Sequence, residues 1–349
     1  IEDKKYEEVL QILEEPIKQG HVFSMVTYAK ILLSLRKDPN YEEKALRIFK
    51  KAADKGDIES IYFYGKYLRN RKQGIKYIRI AANNNYAPAL SEYGYMLQHG
   101  IEVTANLEEA IEYYTKGVYM RDPDSLNYYG LLLQYGNGVP QSYENAKLFY
   151  EASISRGGVR AFYNYAYLHQ HGLGVPVDYD IAIKYYKEAI DEGDPYSMNA
   201  YATMIRDGEG VPSDPEESVK YYKMAIDEGC TEAMTTYARM LQLGEDIPQD
   251  YEEAIKYYKM AIEKGDVEAM TYYAGMLRRG EGVPQNYEEA IKYYKLAIEK
   301  DNTCAMILYG DMLFDGDEIK VNRKKGIQYI QKAADLGNVR AMEVFVGCF

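Results

Sequence analysis

The sequence repeats itself every 36 residues over most of its length. A tyrosine marks the interval, at Tyr93, Tyr129, Tyr165, Tyr201, Tyr237, Tyr273 and Tyr309. Two further motifs keep the same register: a Tyr-Tyr pair, as at 257–258 and 293–294, and a Gly-x-Gly-Val-Pro segment, as at 172–176 and 280–284. A fixed period of roughly 20–50 residues is typical of a solenoid, in which each repeat is a small unit stacked on its neighbours.

Each repeat is predicted to form two antiparallel helices. In the best-defined repeat, helix A is predicted from Glu268 to Arg279, because apolar residues recur there at helical spacing. Gly280 then favours the left-handed conformation that ends a helix, and Pro284 prevents its continuation. Helix B is predicted from Tyr287 to Lys300, with two glutamates in its first turn. The chain is therefore predicted to be all-α.

These motifs resemble those of the Sel-1-like repeats, a family related to the tetratricopeptide repeats. In one copy they are Ala161, Tyr165-Ala166, Gly172-Leu173-Gly174-Val175-Pro176, Ala182, Tyr185-Tyr186, Ala189 and Gly193. The resemblance recurs about nine times and covers nearly the whole chain. It implies a right-handed superhelical solenoid of antiparallel helix pairs, whose concave surface binds other proteins.

A single array of such repeats is predicted over residues 1–349. It comprises a half repeat at 1–22, repeats at 23–58, 59–87, 88–123, 124–159, 160–195, 196–231, 232–267, 268–303 and 304–339, and a partial repeat at 340–349. The repeat at 59–87 is seven residues short and lacks the Gly-x-Gly-Val-Pro segment. Its helix A is predicted to end near Asn70 and its helix B to begin by Gln73-Gly74.

Both ends of the array are irregular. The chain opens inside a helix B, and its last residues include Val344, Phe345, Val346 and Phe349, although solenoids need polar terminal caps for solubility. We expect a piece of a longer protein, covalently linked to further domains, or an array whose ends another molecule covers. The alternative is a natural C-terminus whose last helix packs its apolar face inward.

Composition excludes several classes of protein. Hydrophobic residues make up 47% of the chain, which is too many for a disordered protein. No apolar run approaches the roughly 18–20 residues of a membrane-spanning helix, so direct membrane insertion is not expected. A net charge of -12 disfavours nucleic acid and anionic membranes as partners. Three cysteines, Cys230, Cys304 and Cys348, do not form a disulfide framework, which favours a reducing, cytoplasmic location.

No catalytic, metal-binding or cofactor-binding motif is recognisable. His99 and His171 lie two repeats apart, and His169 is expected to lie on the surface with them, at a helix end. The Gly-x-Gly segments follow predicted helices rather than strands, which disfavours a phosphate-binding loop. The tyrosines lie on the apolar stripes and are predicted to form the core. The chain is therefore predicted not to be an enzyme and to need no cofactor.

The predicted binding site is a line along the A helices. It passes through the positions of Thr271, Gly275 and Arg278, on the side expected to lie opposite the apolar stripe. Polar and aromatic residues at these positions suit the recognition of a peptide backbone. The predicted protein-binding residues are Asn127, Gln134, Tyr163, Tyr167, Gln170, Asn199, Arg206, Arg239, Gln242 and Arg278. The alternative is that they form ordinary polar surface.

Two functions remain open at this point. The first is a non-enzymatic scaffold or adaptor that binds partner proteins or peptides along its concave surface, as part of a larger assembly. The second is a regulatory or targeting array of a larger enzyme, and the family resemblance makes a protein kinase the expected attachment.

Overall fold

The computed structural model describes residues 2–35, 39–244, 246–316 and 319–347. The chain divides into two compact units, residues 1–185 and 186–349. Within the described residues there are twenty helices and no strand. The prediction of an all-α fold built from helix pairs is thus confirmed.

The first unit contains ten complete helices. They are α1 (Glu2–Lys18), α2 (Val22–Leu35), α3 (Pro39–Ala53), α4 (Ile58–Tyr67), α5 (Arg71–Asn83), α6 (Ala87–His99), α7 (Leu107–Tyr119), α8 (Pro123–Tyr135), α9 (Tyr143–Ile154) and α10 (Arg160–His171). Helix α11 (Tyr179–Asp191) contains the division between the two units. From α2 to α10, even-numbered helices are A helices and odd-numbered ones are B helices.

The second unit continues the alternation. Its helices are α12 (Pro195–Asp207), α13 (Pro215–Asp227), α14 (Thr231–Leu243), α15 (Tyr251–Glu263), α16 (Val267–Arg279), α17 (Tyr287–Ile298), α18 (Thr303–Asp315), α19 (Arg323–Asp335) and α20 (Val339–Gly347). Helix α16 begins one residue earlier than the sequence predicted, and α17 ends two residues earlier. Such differences are within the ordinary uncertainty of helix ends.

The turn between α16 and α17 explains the glycine motif. Gly280 adopts the left-handed conformation, with φ of 73°, and its N–H donates to the carbonyl oxygen of Met276 at 2.8 Å. Six residues later the N–H of Asn286 donates to the carbonyl oxygen of Leu277 at 2.8 Å. The side chain of Asn286 also accepts from the N–H of Glu289 and caps α17. These bonds satisfy groups that a helix end leaves without partners.

Tyrosine and alanine form the core, as the sequence predicted. In the B helices, Tyr114, Tyr150, Tyr222, Tyr258 and Tyr294 are fully buried, each at 0% exposure. Alanines at fixed positions, such as Ala254 and Ala290, are also fully buried and let the paired helices approach each other. A second tyrosine contact, with Tyr273 edge-on to Tyr293 at 5.3 Å, recurs between the two helices of other repeats.

The two helices of the short repeat pack against each other through glycine, as do those of the repeat at 304–339, where Gly326 faces Gly310. Helix α4 ends at Tyr67 and α5 begins at Arg71, so three residues replace the long turn. A Cβ atom on Gly74 would lie 2.4 Å from the carbonyl oxygen of Gly65. This position is Ala254 in a full-length repeat, so the glycine allows the two backbones of α4 and α5 to pack in direct contact.

Candidate protein-binding surface of the A helices

Three predicted binding residues are buried glutamines. The hydroxyl of Tyr150 donates to Oε1 of Gln134 at 2.7 Å, and the hydroxyl of Tyr258 donates to Oε1 of Gln242 at 2.8 Å. Gln134, Gln170 and Gln242 are 2%, 7% and 7% exposed. Because a buried phenol needs a hydrogen-bond partner, Gln134 and Gln242 satisfy the core tyrosines. A peptide could bind these two amides only if their hydrogen bonds to the tyrosines were broken first.

The position of Thr271 connects successive repeats. The hydroxyl of Thr271 donates to Oδ1 of Asn302, the residue that caps α18, at 3.3 Å. Asn127, in the same position of an earlier repeat, is 2% exposed and accepts from Nδ2 of Asn164 on α10 at 2.8 Å. The sequence placed this line opposite the apolar stripe, which was wrong: Thr271 is 2% exposed and Gly275 is buried.

A recurrent bond at the ends of the A helices was missed in the sequence. Nε2 of Gln285 donates to the carbonyl oxygen of Arg278 at 2.9 Å, and Gln141 and Gln249 make the same bond in their own repeats. Arg278 itself is half-buried. The signal was available, because these glutamines recur at multiples of 36 residues.

In the first unit the accessible part of the predicted site is aromatic. Tyr163 and Tyr167 are half-buried on α10, with their ring centres 6.1 Å apart. The ring of Tyr167 also lies 4.2 Å from that of His171. Tyr135, at the end of α8, is 60% exposed. Partial burial and the neighbouring Tyr167 both raise the pKa of Tyr135. These side chains form an aromatic patch at the ends of α8 and α10.

In the second unit three successive A helices form a cleft of about 480 Å³. We call it the A-helix cleft. Its lining residues come from α12, α14, α16 and the segment after α14: Arg206, Asp207, Thr235, Thr236, Arg239, Met240, Leu243, Asp246, Glu268 and Tyr272. Two of them, Arg206 and Arg239, are among the residues predicted from the sequence.

The two arginines of the cleft are held differently. Nε and Nη2 of Arg206 donate to the two carboxylate oxygens of Asp207, at 2.7 and 2.9 Å. Arg239 is exposed, lies 4.9 Å from the centre of the Tyr272 ring and donates from Nη1 to its hydroxyl at 2.8 Å. Because Asp207 neutralises Arg206, Arg239 is the cation in the cleft that is available to bind a ligand. The carboxylates of Asp246 and Glu268 are available as well.

Asn199 is the remaining predicted residue. It is half-buried on α12, and its Oδ1 is buried with no hydrogen-bond partner among the described residues. It does not line the A-helix cleft. Nine of the ten predicted residues therefore fall into three environments: buried glutamines and Asn127, the aromatic patch of the first unit, and the arginines of the second; Asn199 lies outside all three.

The described residues include few groups that are suited to metal binding or to nucleophilic catalysis. It contains no group of three or more His, Cys, Asp or Glu side chains that could hold a metal ion. Cys230 is buried, and burial raises the pKa of its thiol to about 12, which disfavours a reactive thiolate. Cys304 is exposed, and Cys348 lies outside the described residues. Among the helices described, none has both the length and the apolar character needed to cross a membrane.

One histidine departs from its expected place. His169 was predicted to lie on the surface, but the structure buries it to 6% exposure. The prediction was wrong because it rested on the polarity of histidine and not on the position of the residue in the repeat. Its position in the repeat holds leucine in most other copies and belongs to the core.

Solved structures resemble this chain in fold. A Sel1 repeat protein from Oxalobacter formigenes is 25% identical, with a TM-score of 0.60 over 70% of this chain and 99% of that one. The protein c5321, described as a protective antigen of uropathogenic Escherichia coli strains displaying an SLR fold, is 20% identical, with a TM-score of 0.52 over 96% of this chain and 81% of that one. No curated protein matches the sequence.

The family model described as the Sel1 repeat matches the chain nine times. The matched residues are 35–57, 60–86, 87–121, 123–158, 159–194, 195–230, 231–266, 267–302 and 305–338. These matches cover most of the sequence; the first contains α3 alone, and the others each follow a helix pair in the structure. The chain therefore belongs to the Sel1 repeat family.

Proposed function

We propose that this chain is a non-catalytic scaffold that binds partner proteins on the exposed surface of its A helices. Sel1 repeat proteins generally act as scaffolds for protein interactions. Within the second unit the A-helix cleft is the proposed principal site. A cytoplasmic location remains a prediction from the sequence.

The observation that carries this proposal is the position of Arg239 in the A-helix cleft. Three A helices in succession line the cleft, so an extended segment lying in it would contact three repeats. Arg239 and Tyr272 present a charged and aromatic pair there. Arginine and tyrosine are enriched among the residues that dominate binding energy at protein interfaces.

The composition of the cleft indicates what a partner segment must offer. Leu243 is 45% exposed at one side of the cleft and would accept an apolar side chain. Arg239 would bind a carboxylate or backbone carbonyl, and Asp246 and Glu268 would bind a basic side chain or backbone N–H. The proposed ligand is therefore an extended peptide of mixed charge with one apolar side chain.

Site-specific photocrosslinking in native lysate tests this proposal. A photoreactive amino acid replaces Leu243 in the cleft or, as a matched control, Lys292 on the exposed face of α17. We expect protein adducts from position 243 that disappear when Arg239→Ala is added. Adducts that persist in the Arg239→Ala variant, or that form from position 292 instead, would show that the binding surface lies elsewhere.

A further inference from the structure

His169 occupies a position that aliphatic residues fill in the other repeats. It lies in the last turn of α10 and is 6% exposed. At intervals of 36 residues the same position holds Leu97, Leu133, Ile205, Leu241, Leu277 and Leu313, all of them buried. An imidazole, which becomes charged within the physiological range of pH, thus replaces an apolar side chain in the core of the first unit.

The surroundings of His169 favour the neutral ring. Neither Nδ1 nor Nε2 has a hydrogen-bond partner among the described residues. The ring of Tyr165 lies 4.8 Å away on the same helix. Burial lowers the pKa of His169, and the positive charge of Lys147 on α9 lowers it further. Glu151 on α9 and Asp178, in the segment before α11, act in the opposite direction but less strongly.

Backbone hydrogen bonds around His169 connect the segment 172–178 to the end of α10. The carbonyl oxygen of His169 accepts from the N–H of Asp178 at 2.9 Å, and that of Leu168 accepts from Leu173 at 3.0 Å. Oδ1 of Asp178 in turn accepts from the N–H of Ile181 and caps α11. The turn that holds His169 therefore anchors the whole segment 172–178.

We propose that protonation of His169 releases this turn, so that the end of α10 and the segment 172–178 open in mild acid while the corresponding segments of the other repeats stay closed. A charged imidazole without a partner is costly in a core position, and opening the turn exposes it to water. The same turn carries Gln170 and follows Tyr167. Any effect of the release on binding there rests on the proposed function, whereas the release itself does not.

The direction of the pH dependence follows from the lowered pKa. Because the folded form of His169 binds a proton less readily than the unfolded form, the stability that neutral His169 allows is fully present above the unfolded pKa of about 6.5. It is lost as the pH falls from there toward the lower folded pKa. The opening should therefore develop below about pH 6.5.

Native-state hydrogen exchange on the full chain measures the opening directly. We expect the protection factor of the Asp178 amide, corrected for intrinsic exchange, to fall at least fivefold between pH 7.5 and pH 5.5. The amide of Asn286, which donates to Leu277 in the same position of another repeat, is the internal control and should change less than twofold. Equal changes at the two amides would overturn the proposal.

Two variants and a titration separate the role of His169 from general acid effects. His169→Leu should abolish the pH dependence at Asp178, and Leu277→His should create one at Asn286. Titration by NMR should give His169 a pKa below the ordinary histidine value of 6.5. A pH dependence that persists in His169→Leu, or a His169 pKa at or above 6.5, would contradict the proposal. If His169→Leu does not fold, the Leu277→His result decides.

Discussion

The hydroxyl of Tyr258 on α15 donates to the amide oxygen of Gln242 on α14 at 2.8 Å, with the tyrosine fully buried. Tyr150 and Gln134 repeat the bond at 2.7 Å, and Tyr114 and Gln98 at 2.9 Å. In each pair the two residues are 16 positions apart, one on each helix of a repeat. The bond therefore connects the two helices inside the core.

Removing the glutamine of one pair should destabilise the protein. Gln242→Leu leaves the Tyr258 hydroxyl buried without its acceptor, which costs about 1–3 kcal/mol in the free energy of unfolding, and it also removes the bond from Nε2 to Glu281. Urea denaturation measures the change. Adding Tyr258→Phe to Gln242→Leu should recover part of the loss, because both polar partners are then absent. A double variant less stable than Gln242→Leu would contradict this account of the bond.

Adding a methyl group at Gly74 should also destabilise the protein. Its Cβ would lie 2.4 Å from the backbone oxygen of Gly65, which cannot move without shifting α4. We expect Gly74→Ala to cost about 1–3 kcal/mol in urea denaturation, as overpacking does.

Gly275→Ala is the matched control for that change. Its Cβ would be nearest to the flexible guanidinium of Arg279, at 3.2 Å, and Gly275 also lies within a helix. The substitution should stabilise the protein by about 0.5–1 kcal/mol, since alanine favours a helix more than glycine does. Equal losses in the two variants would show that neighbouring backbone is not the cause.

Glu281 should contribute to the acid sensitivity of the second unit. The hydrogen bonds from Arg279 lower the pKa of Glu281, and Gln242 adds another from Nε2 at 2.8 Å. A lowered pKa means that its stabilising effect is present above the ordinary glutamate pKa of 4.5 and is lost as the pH falls below it. Glu281→Gln should therefore lower the urea midpoint at pH 7 more than at pH 3.

An exposed glutamate serves as the control for Glu281. Glu288 lies in the first turn of α17, and Glu288→Gln should change the urea midpoint by a similar small amount at both pH values. If the two variants respond alike to pH, the hydrogen bonds of Glu281 are not the cause of the acid sensitivity.

The fold could be predicted from the sequence because its signals are local. Gly280 ends α16 and Asn286 begins α17 through contacts within a few residues, and the period places every copy. The binding site was harder to predict, because whether a polar side chain is buried depends on a partner on another helix. Gln242 is polar and was placed on the surface, whereas Tyr258 allows it to lie in the core.

Comparison of positions between repeats would have found part of what was missed. Gln242 has counterparts at Gln98 and Gln134, each 16 residues before a buried tyrosine, whereas Arg206 and Arg278 hold that position before Tyr222 and Tyr294. The position of His169 holds leucine or isoleucine in the other full-length repeats. The A-helix cleft could not be found in this way, since its volume and the position of Arg239 over Tyr272 depend on how three helices pack.

The affinity of a crosslinked partner for the intact chain and for its Arg239→Ala variant, measured by calorimetry, tests the central claim most directly. Lys292→Glu on α17 is the control, and circular dichroism should show unchanged helicity in both variants. We predict that Arg239→Ala weakens binding by about 2 kcal/mol, whereas Lys292→Glu changes it by less than about 0.5 kcal/mol. Unchanged affinity in Arg239→Ala together with weakened binding in Lys292→Glu would contradict a binding site on the A helices.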